Sequence, residues 1–292
     1  MPSLKDVKLQ ITGVGKTKQI TRAMGMVASA KLRGSQNRIE RFRPYAEKFH
    51  EILDDIAGRT QDAVHPLLQV HEQPKTAVIV LVTSERGLCG GFNANLVSTA
   101  LALAKDRQNA GLTVRFICVG RKGRDAVRKT SFEILHFYGD VMGSFGFSLA
   151  AGLGRTVSEL YEKGEADEVH LVFSEFASAA RQIPTSMQLL PVTHASRPAE
   201  KREAQAECLY EPRVETLLAE LLPRYVNVQI YRGLLDNSAS ENASRMAAMD
   251  NATRNCDELI SSLTLLYNKT RQAAITNELI DIVGGANAQQ SQ

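Results

Sequence analysis

Two glycine-rich stretches are the places in this 292-residue sequence where backbone amides could cradle a phosphate group. Gly13–Thr17 reads GVGKT, like the end of a P-loop, but the glycine required five residues before Gly15 is replaced by Gln10. Gly87–Gly91 reads GLCGG and follows a strand-like run, but its spacing is not GxGxxG and no acidic residue ends the next strand. We therefore predict no P-loop, and we interpret Gly87–Gly91 as a tight turn between a strand and a helix.

Histidines, serines and cysteines are the other residues that could support metal or nucleophile chemistry. The six histidines show no HExxH or paired metal spacing, and no serine stands in a GxSxG elbow. Four cysteines lie far apart and form no CxxC pair: Cys89, Cys118, Cys208 and Cys256. We expect no metal, no cofactor and no catalysis by this chain alone.

The positive charge is concentrated at the start of the sequence. Residues 1–48 carry eleven lysines and arginines against three acids, a net charge of +8, whereas the whole sequence has a net charge of +3. Such a block is usually a solvated helix face, but it could also contact nucleic acid, lipid or an acidic protein. Charge alone does not choose among these partners.

Heptad patterns predict a long helix at each end of the sequence. An alternation of three and four residues runs from Leu4 to Ile56, and a second runs from Leu235 to Tyr267. A single helix of this length is not stable alone, because most helical stability comes from packing an apolar face. Each helix is the other's obvious partner, and a chain that leaves and returns through an intervening domain must pair them antiparallel.

The middle of the sequence alternates strand-like and helix-like segments, which is typical of a small, mainly parallel α/β domain. Strands are predicted at 76–83, 112–119, 169–176 and 186–192, and helices at 94–109, 122–129 and 147–163. The predicted fold is α/β with long helices: an antiparallel two-helix coiled coil formed by the N- and C-terminal segments, plus a small Rossmann-like α/β domain. The predicted boundaries are 1–60 for the first helix, 75–195 for the domain and 210–286 for the second helix.

The expected compartment is the reduced cytoplasm. The longest apolar run, Ala77–Val82, is far shorter than the roughly 20 residues that span a bilayer. The first residues, Met1–Asp6, lack the apolar segment and cleavage site of a secretory signal, and the cysteine spacing gives no disulfide framework.

Three stretches carry a resemblance to a known family. They are Thr21–Arg33 (TRAMGMVASAKLR), Gly87–Asn93 (GLCGGFN) and Ser240–Ala286, which includes YNKTRQA and ITNEL. The sequence resembles the gamma subunit, the central-stalk rotor, of F-type rotary ATP synthases. It departs from the usual pattern at Asp281 and at four glycines of the first helix, and it lacks the redox-switch insertion of chloroplast members.

The resemblance implies a non-catalytic rotor that couples ion translocation to ATP synthesis or hydrolysis and regulates ATPase activity. It implies a coiled coil inside a hexamer of alpha and beta subunits, and an α/β foot on the c-ring with the epsilon subunit beside it. It implies no nucleic acid partner and no cofactor. The membrane is contacted only through the c-ring, on the cytoplasmic face of a bacterial inner membrane.

The resemblance also assigns roles to single positions. Arg271 and Gln272, with Thr276 nearby, match shaft residues that bind a loop of one beta subunit. Tyr210 and Glu211 match foot positions that face the c-ring and the epsilon subunit.

Two further positions match the region of the shaft that is linked to coupling, Met24 and Arg245. The alternative interpretation is that Met24 only packs in the helix seam and that Arg245 is a solvated surface charge. Two other functions also stay open from the residues: a nucleotide-binding α/β protein, and a basic coiled-coil protein that binds nucleic acid.

The missing P-loop and catalytic cluster lead to a first prediction. The isolated chain should hydrolyse no ATP and bind nucleotide weakly at best, which turnover assays and equilibrium dialysis with ATP will measure. Substantial turnover that survives removal of contaminating ATPase would contradict it.

Overall fold

A computed structural model describes residues 3–59, 65–71, 73–192 and 214–290 of the chain. The two terminal elements are long helices, α1 (Leu4–Arg59) and α5 (Val214–Gln290). Shorter helices and strands lie between them, in the order β1 (Thr76–Val82), α2 (Phe92–Asn109), β2 (Thr113–Val119), α3 (Arg121–Val127), β3 (Glu133–Tyr138), α4 (Phe147–Glu162), β4 (Glu168–Phe176) and β5 (Gln182–Leu190). A short 3-10 turn, Pro66–Leu68, precedes β1.

The chain divides into two compact units. The helix-pair unit contains residues 3–28 and 246–290, and the sheet unit contains the described residues between 29 and 245. Among the described residues, no helix contains an apolar stretch long enough to cross a lipid bilayer.

The sheet has five strands in the order β3-β2-β1-β4-β5. Strand β1 is parallel to both β2 and β4, β2 is parallel to β3, and β5 runs antiparallel to β4. Strand β1 is the centre of the core, since every residue from Ala77 to Val82 is fully buried. A strand covered on both faces reads as a continuous apolar run, which is why TAVIVLV was recognisable in the sequence. The predicted mainly parallel, Rossmann-like sheet is confirmed.

Two strands differ from the sequence prediction. Strand β3 was not predicted, because it lies at the edge of the sheet and its six residues are exposed or half-buried. Strand β5 begins at Gln182, four residues before the predicted start, and it contains Pro184. Proline has no backbone N–H to donate, so it is tolerated in an edge strand such as this one.

Within the helix-pair unit, α1 and α5 pair antiparallel. The Oγ1 atoms of Thr21 and Thr253 are 2.8 Å apart, and Lys18 forms an ion pair with Asp257. One turn further along α1, a Cβ added to Gly25 would stand 3.5 Å from the Cβ of Met249. Partner numbers fall along α5 as they rise along α1, so the predicted antiparallel coiled coil is confirmed.

Within the sheet unit, α1 and α5 are also in contact. The hydroxyls of Ser35 and Ser238 are 3.2 Å apart and buried. Heptad positions of α1 predicted from the sequence are buried here: Leu32, Ile39, Ala46 and Leu53. Because these residues recur every seven positions, they keep one face of α1 in contact throughout this segment.

The helix glycines are not all alike. Gly25 lies in van der Waals contact with Met249, whereas a Cβ at Gly13, Gly15 or Gly34 would have no heavy atom of the described residues within 4 Å. Close helix approach therefore explains Gly25 alone. Nothing in the structure explains the other three.

The threonine contact gives a direct test of the pairing. Replacing both Thr21 and Thr253 by cysteine should allow an intramolecular disulfide, because their side-chain oxygens already touch. Mild oxidation followed by non-reducing electrophoresis and peptide mass analysis will detect it. The matched control is Thr21→Cys with Thr264→Cys, which places the second thiol about 16 Å further along the helix. Equal crosslinking in the control would contradict this register.

Candidate functional site

The carboxyl edge of the sheet is where an open α/β fold normally places its ligand. Strand β1 connects to β2 on one side, whereas β4 lies on the other side of β1, so the strand order reverses between β1 and β4. Ligands of such folds bind in the crevice outside the carboxyl ends of the strands at this switch point. A ligand bound there would therefore meet the residues that follow β1 and those that end β4.

Helix α5 itself occupies this crevice in the sheet unit. The backbone N–H of Ser174, near the end of β4, donates to Asn237 Oδ1 at 3.2 Å, and Ser240 Oγ donates to the Ser174 carbonyl at 3.0 Å. On the β1 side, Ser244 Oγ donates to the Cys89 carbonyl at 2.7 Å. Asn237 and Ser240 are fully buried. Side chains of the helix thus satisfy backbone groups that a ligand would otherwise meet.

The turn after β1 is held by its own polar network. Asn93 Nδ2 donates to Ser84 Oγ at 2.8 Å, and Ser84 Oγ donates to the Arg86 carbonyl at 2.6 Å. Leu88 and Gly90 both have positive φ, of 62° and 57°. A positive φ is strained for leucine, so the network fixes a turn that local preference alone would not select. The predicted tight turn is confirmed.

Burial raises the pKa of the Cys89 thiol in this turn, although the nearby charge of Arg245 lowers it. A thiol whose pKa is raised is mostly protonated at neutral pH and is a poor nucleophile. Within the described residues, no three His, Cys, Asp or Glu side chains gather closely enough to hold a metal ion.

Arg245 ties the turn to the helix. Its Nη1 lies 2.8 Å from Glu241 Oε1, one turn earlier on α5, and its Nη2 donates to the carbonyls of Arg86 and Gly87 at 3.4 Å each. The side chains of Arg245 and Glu241 are only 15% and 14% exposed. Burial raises the pKa of Glu241, while the charges of Arg245 and Lys31 lower it. The interpretation of Arg245 as a solvated surface charge is therefore wrong, and its role in coupling stays a prediction.

The other predicted site residues are not brought together with Arg245. Met24 is half-buried in the helix-pair unit, and Arg271, Gln272 and Thr276 are exposed on α5 in that same unit. The hydroxyl of Thr276 donates to the Gln272 carbonyl at 2.9 Å, which places these two residues on one side of the helix.

Tyr210 and Glu211, the predicted foot residues, lie outside the described residues. Sequence reasoning had missed Asn237 and Ser240 as anchors. The sequence feature that could have indicated these two residues is a polar run, DNSASEN at 236–242, inside a long predicted helix. Such residues are unfavourable within a helix unless their side chains bind backbone groups.

The architecture and the seated helix define a class: an α/β domain whose ligand crevice is filled by a long helix of the same chain. Comparison with known proteins identifies that class. The model of the family described as ATP synthase matches residues 3–289.

Similar proteins extend over the whole chain. An ATP synthase gamma chain of Nitratidesulfovibrio vulgaris strain Hildenborough is 61% identical over 288 residues, covering 99% of each chain. One from Lawsonia intracellularis is 54% identical over 288 residues, again covering 99% of each.

Solved structures agree on the fold. A chain in the Euglena gracilis mitochondrial ATP synthase, in a structure of its OSCP/F1/c-ring part, matches with a TM-score of 0.69 at 20% identity, covering 99% of this chain and 95% of that one. A chain in the Tetrahymena thermophila central stalk and c-ring structure matches with a TM-score of 0.60 at 27% identity, covering 80% and 99%.

The chain belongs to the ATP synthase gamma chain family. Its role is that of the central-stalk rotor, a non-catalytic subunit of the F-type ATP synthase. The nucleotide-binding and nucleic-acid-binding alternatives are not retained.

The Arg245 ion pair gives a stability prediction with a matched control. Arg245→Ala should lower the free energy of unfolding by about 1–3 kcal/mol, because it leaves the largely buried Glu241 carboxylate without its partner. Arg254→Ala breaks another i, i+4 pair on α5, with Asp250, whose side chains are 70% and 57% exposed. That loss should be under about 1 kcal/mol.

Denaturant unfolding followed by circular dichroism will measure both variants. Adding Glu241→Gln to Arg245→Ala should recover part of the loss, because no unpaired charge is then buried. Equal losses for the two arginine variants would show that the Arg245 pair is not sheltered as described.

Proposed function

We propose that this rotor passes torque between the c-ring and the hexamer of alpha and beta subunits through helix α5. The observation that carries the proposal is the seat of α5 on the carboxyl edge of the sheet, made by Asn237, Ser240, Ser244 and Arg245. The same 77-residue helix continues into the helix-pair unit. A twist applied to the α/β domain is therefore resisted by directional hydrogen bonds at the point where it enters the helix.

Torque can drive ATP synthesis only if the rotor distinguishes among three equivalent catalytic sites. We propose that these sites lie in the beta subunits. A shaft can bias a site only when it contacts one conformation of that site more favourably than another. Each charge that crosses the membrane contributes about 2.3 kcal/mol per 100 mV, so several charges must be pooled mechanically for each ATP. A stiff chain with an asymmetric surface meets both requirements.

Arg271, Gln272 and Thr276 are proposed to form a catch against one beta subunit. All three are exposed, so they are available to a partner. Arg271 has no ion-pair partner among the described side chains, and a guanidinium favours planar, directional acceptors such as a carboxylate. These properties fit a contact that forms and breaks once per step.

The basic block of residues 1–48 is proposed to face acidic loops of the beta subunits. Nine of its eleven basic side chains are exposed; Lys18 and Arg38 are the exceptions, since both are half-buried. Exposed ion pairs are worth only about 0–1 kcal/mol each, so such charges attract a partner without holding it. That weakness would let the rotor move past three equivalent partners.

The foot contacts complete the proposal. Tyr210 and Glu211, outside the described residues, are proposed to contact the c-ring and the epsilon subunit. The chain would then be held peripherally at the cytoplasmic face of a bacterial inner membrane, through the ATP synthase complex rather than by a membrane span.

Substitutions at Arg271, in the catch, and at Met24, half-buried in the shaft, should give different phenotypes. Arg271→Ala should leave the chain folded and lower ATP turnover of the assembled enzyme by about 10- to 150-fold, since a hydrogen bond to a charged group contributes about 1.5–3 kcal/mol. Met24→Lys should leave turnover but lower the protons pumped per ATP, because the new charge strengthens an unwanted contact between rotor and stator.

The measurements are ATPase rate and ATP-driven proton pumping in membranes with equal amounts of assembled enzyme. Lys269→Ala is the matched control, because it removes an exposed positive charge two residues before Arg271 and should keep both readouts within about twofold of the unchanged enzyme. If Arg271→Ala and Met24→Lys also keep both readouts, the proposed roles of these residues are wrong.

A further inference from the structure

A cavity of about 320 Å³ lies in the sheet unit, between α1, α5 and the β4–β5 pair. Its apolar lining comes from all four elements: Ile39, Phe42, Ala46, Phe176, Met187 and Leu235. Cavities of this size and character hold small organic ligands, with a few polar groups that fix orientation. Of the residues given roles above, Arg43 of the basic block also lines this cavity, whereas the α5 residues that bind the sheet edge and the residues of the catch do not.

Charged side chains line the same cavity and leave it with an excess of carboxylates. The carboxylates outnumber the guanidiniums by three to two, counting Glu47, Glu175 and Asp236 against Arg43 and Arg232. His50 also lines the cavity; its ring stacks on Tyr225, and its Nδ1 lies 3.3 Å from the Tyr225 hydroxyl. A cation should therefore be favoured over an anion of the same size.

Asp236 is the most enclosed of the carboxylates. Its side chain is only 7% exposed, and the nearest cation, Arg232 Nε, lies 3.9 Å away on a side chain that is 55% exposed. The backbone N–H of Phe176 donates to it. Burial, opposed by the charges of Arg232 and Arg43 and reinforced by that of Glu175, raises the pKa of Asp236 to about 6. The fold thus buries a carboxylate without a closely held counter-ion.

We propose that this cavity binds a small amphipathic monocation of the arylalkylamine class. Its ammonium group would lie at the Asp236 carboxylate, and its ring would pack among Phe42, Phe176 and Met187. Aromatic faces and a methionine sulfur both favour a flat ring that carries a positive charge nearby. The site is separate from torque transmission, so it stands or falls independently of the proposed function.

Binding should depend on pH in a defined direction. The ammonium favours the ionised form of Asp236, so affinity should rise as pH increases from 5 towards 7, by up to tenfold per unit below the pKa. The charged and titratable groups that line the cavity together with Asp236 are Arg43, Glu47 and His50 of α1, Glu175 of β4, and Tyr225 and Arg232 of α5.

The test is isothermal titration of the purified full-length chain with phenethylamine at pH 7 and pH 5. Two probes of similar shape serve as comparisons, the neutral 2-phenylethanol and the anionic 3-phenylpropionate. The amine should bind at pH 7 at least tenfold more tightly than either comparison probe, and at least fivefold more tightly than it binds at pH 5.

Variants locate the site. Asp236→Asn keeps the shape and the acceptor for Phe176 N–H, and it should weaken amine binding at least tenfold and remove most of its pH dependence. Asp250→Asn, on an exposed part of the same helix, should change nothing. Ala46→Leu, which adds volume to the cavity wall, should weaken all probes that bind there.

Three results would overturn the proposal. They are no amine binding at millimolar concentration, equal binding of the amine and the alcohol, and amine binding that Asp236→Asn leaves within twofold. Circular dichroism of each variant checks folding. Because Asp236→Asn introduces no new volume, it keeps the test valid even if Ala46→Leu fails to fold.

Discussion

The need to pair the backbone of Ser174 is the constraint on which the sheet unit depends. Strand β4 runs past Val172, its last residue paired with β1, so the backbone N–H and C=O of Ser174 have no β1 residue beside them. A buried N–H and a buried carbonyl left unpaired would each cost free energy comparable to a lost hydrogen bond. Asn237 and Ser240 of α5 supply the acceptor and the donor. The sheet therefore requires the helix to lie in one register.

Packing fixes that register a second time. A Cβ on Gly233 of α5 would stand 2.7 Å from a methyl of Leu171 in β4, so the helix approaches the sheet as closely as a glycine permits. On the side of α4, an added Cβ on Gly154 would overlap the amide of Asn227. A slip of one helical turn moves α5 by about 5.4 Å and loses both these contacts and the polar pairs. Apolar contacts alone have no direction, whereas hydrogen bonds do. Close packing and hydrogen bonds together therefore hold α5 against twisting better than packing alone would.

The predictable part of this structure is the part with a local repeat. The heptads of α1 were readable because Leu32, Ile39 and Leu53 recur at multiples of seven residues and are all buried. Strand β1 was readable because both its faces are covered. Strand β3 was not, because an edge strand needs no continuous apolar run. Burial of Arg245 was not readable either, since it depends on a turn 158 residues away in the sequence.

The crevice of this α/β domain shows how one fold supports two kinds of function. In a dinucleotide-binding protein, a diffusible ligand occupies the switch point and leaves at a rate set by its affinity. Here the occupant is a segment of the same chain, so its local concentration is high and fixed by the covalent connection. Ser244 and Arg245 reach the turn at Cys89 and Gly87, where a phosphate would otherwise lie. A permanent occupant suits a rotor, because a connection that carries torque through every turn of the cycle must not dissociate with each step.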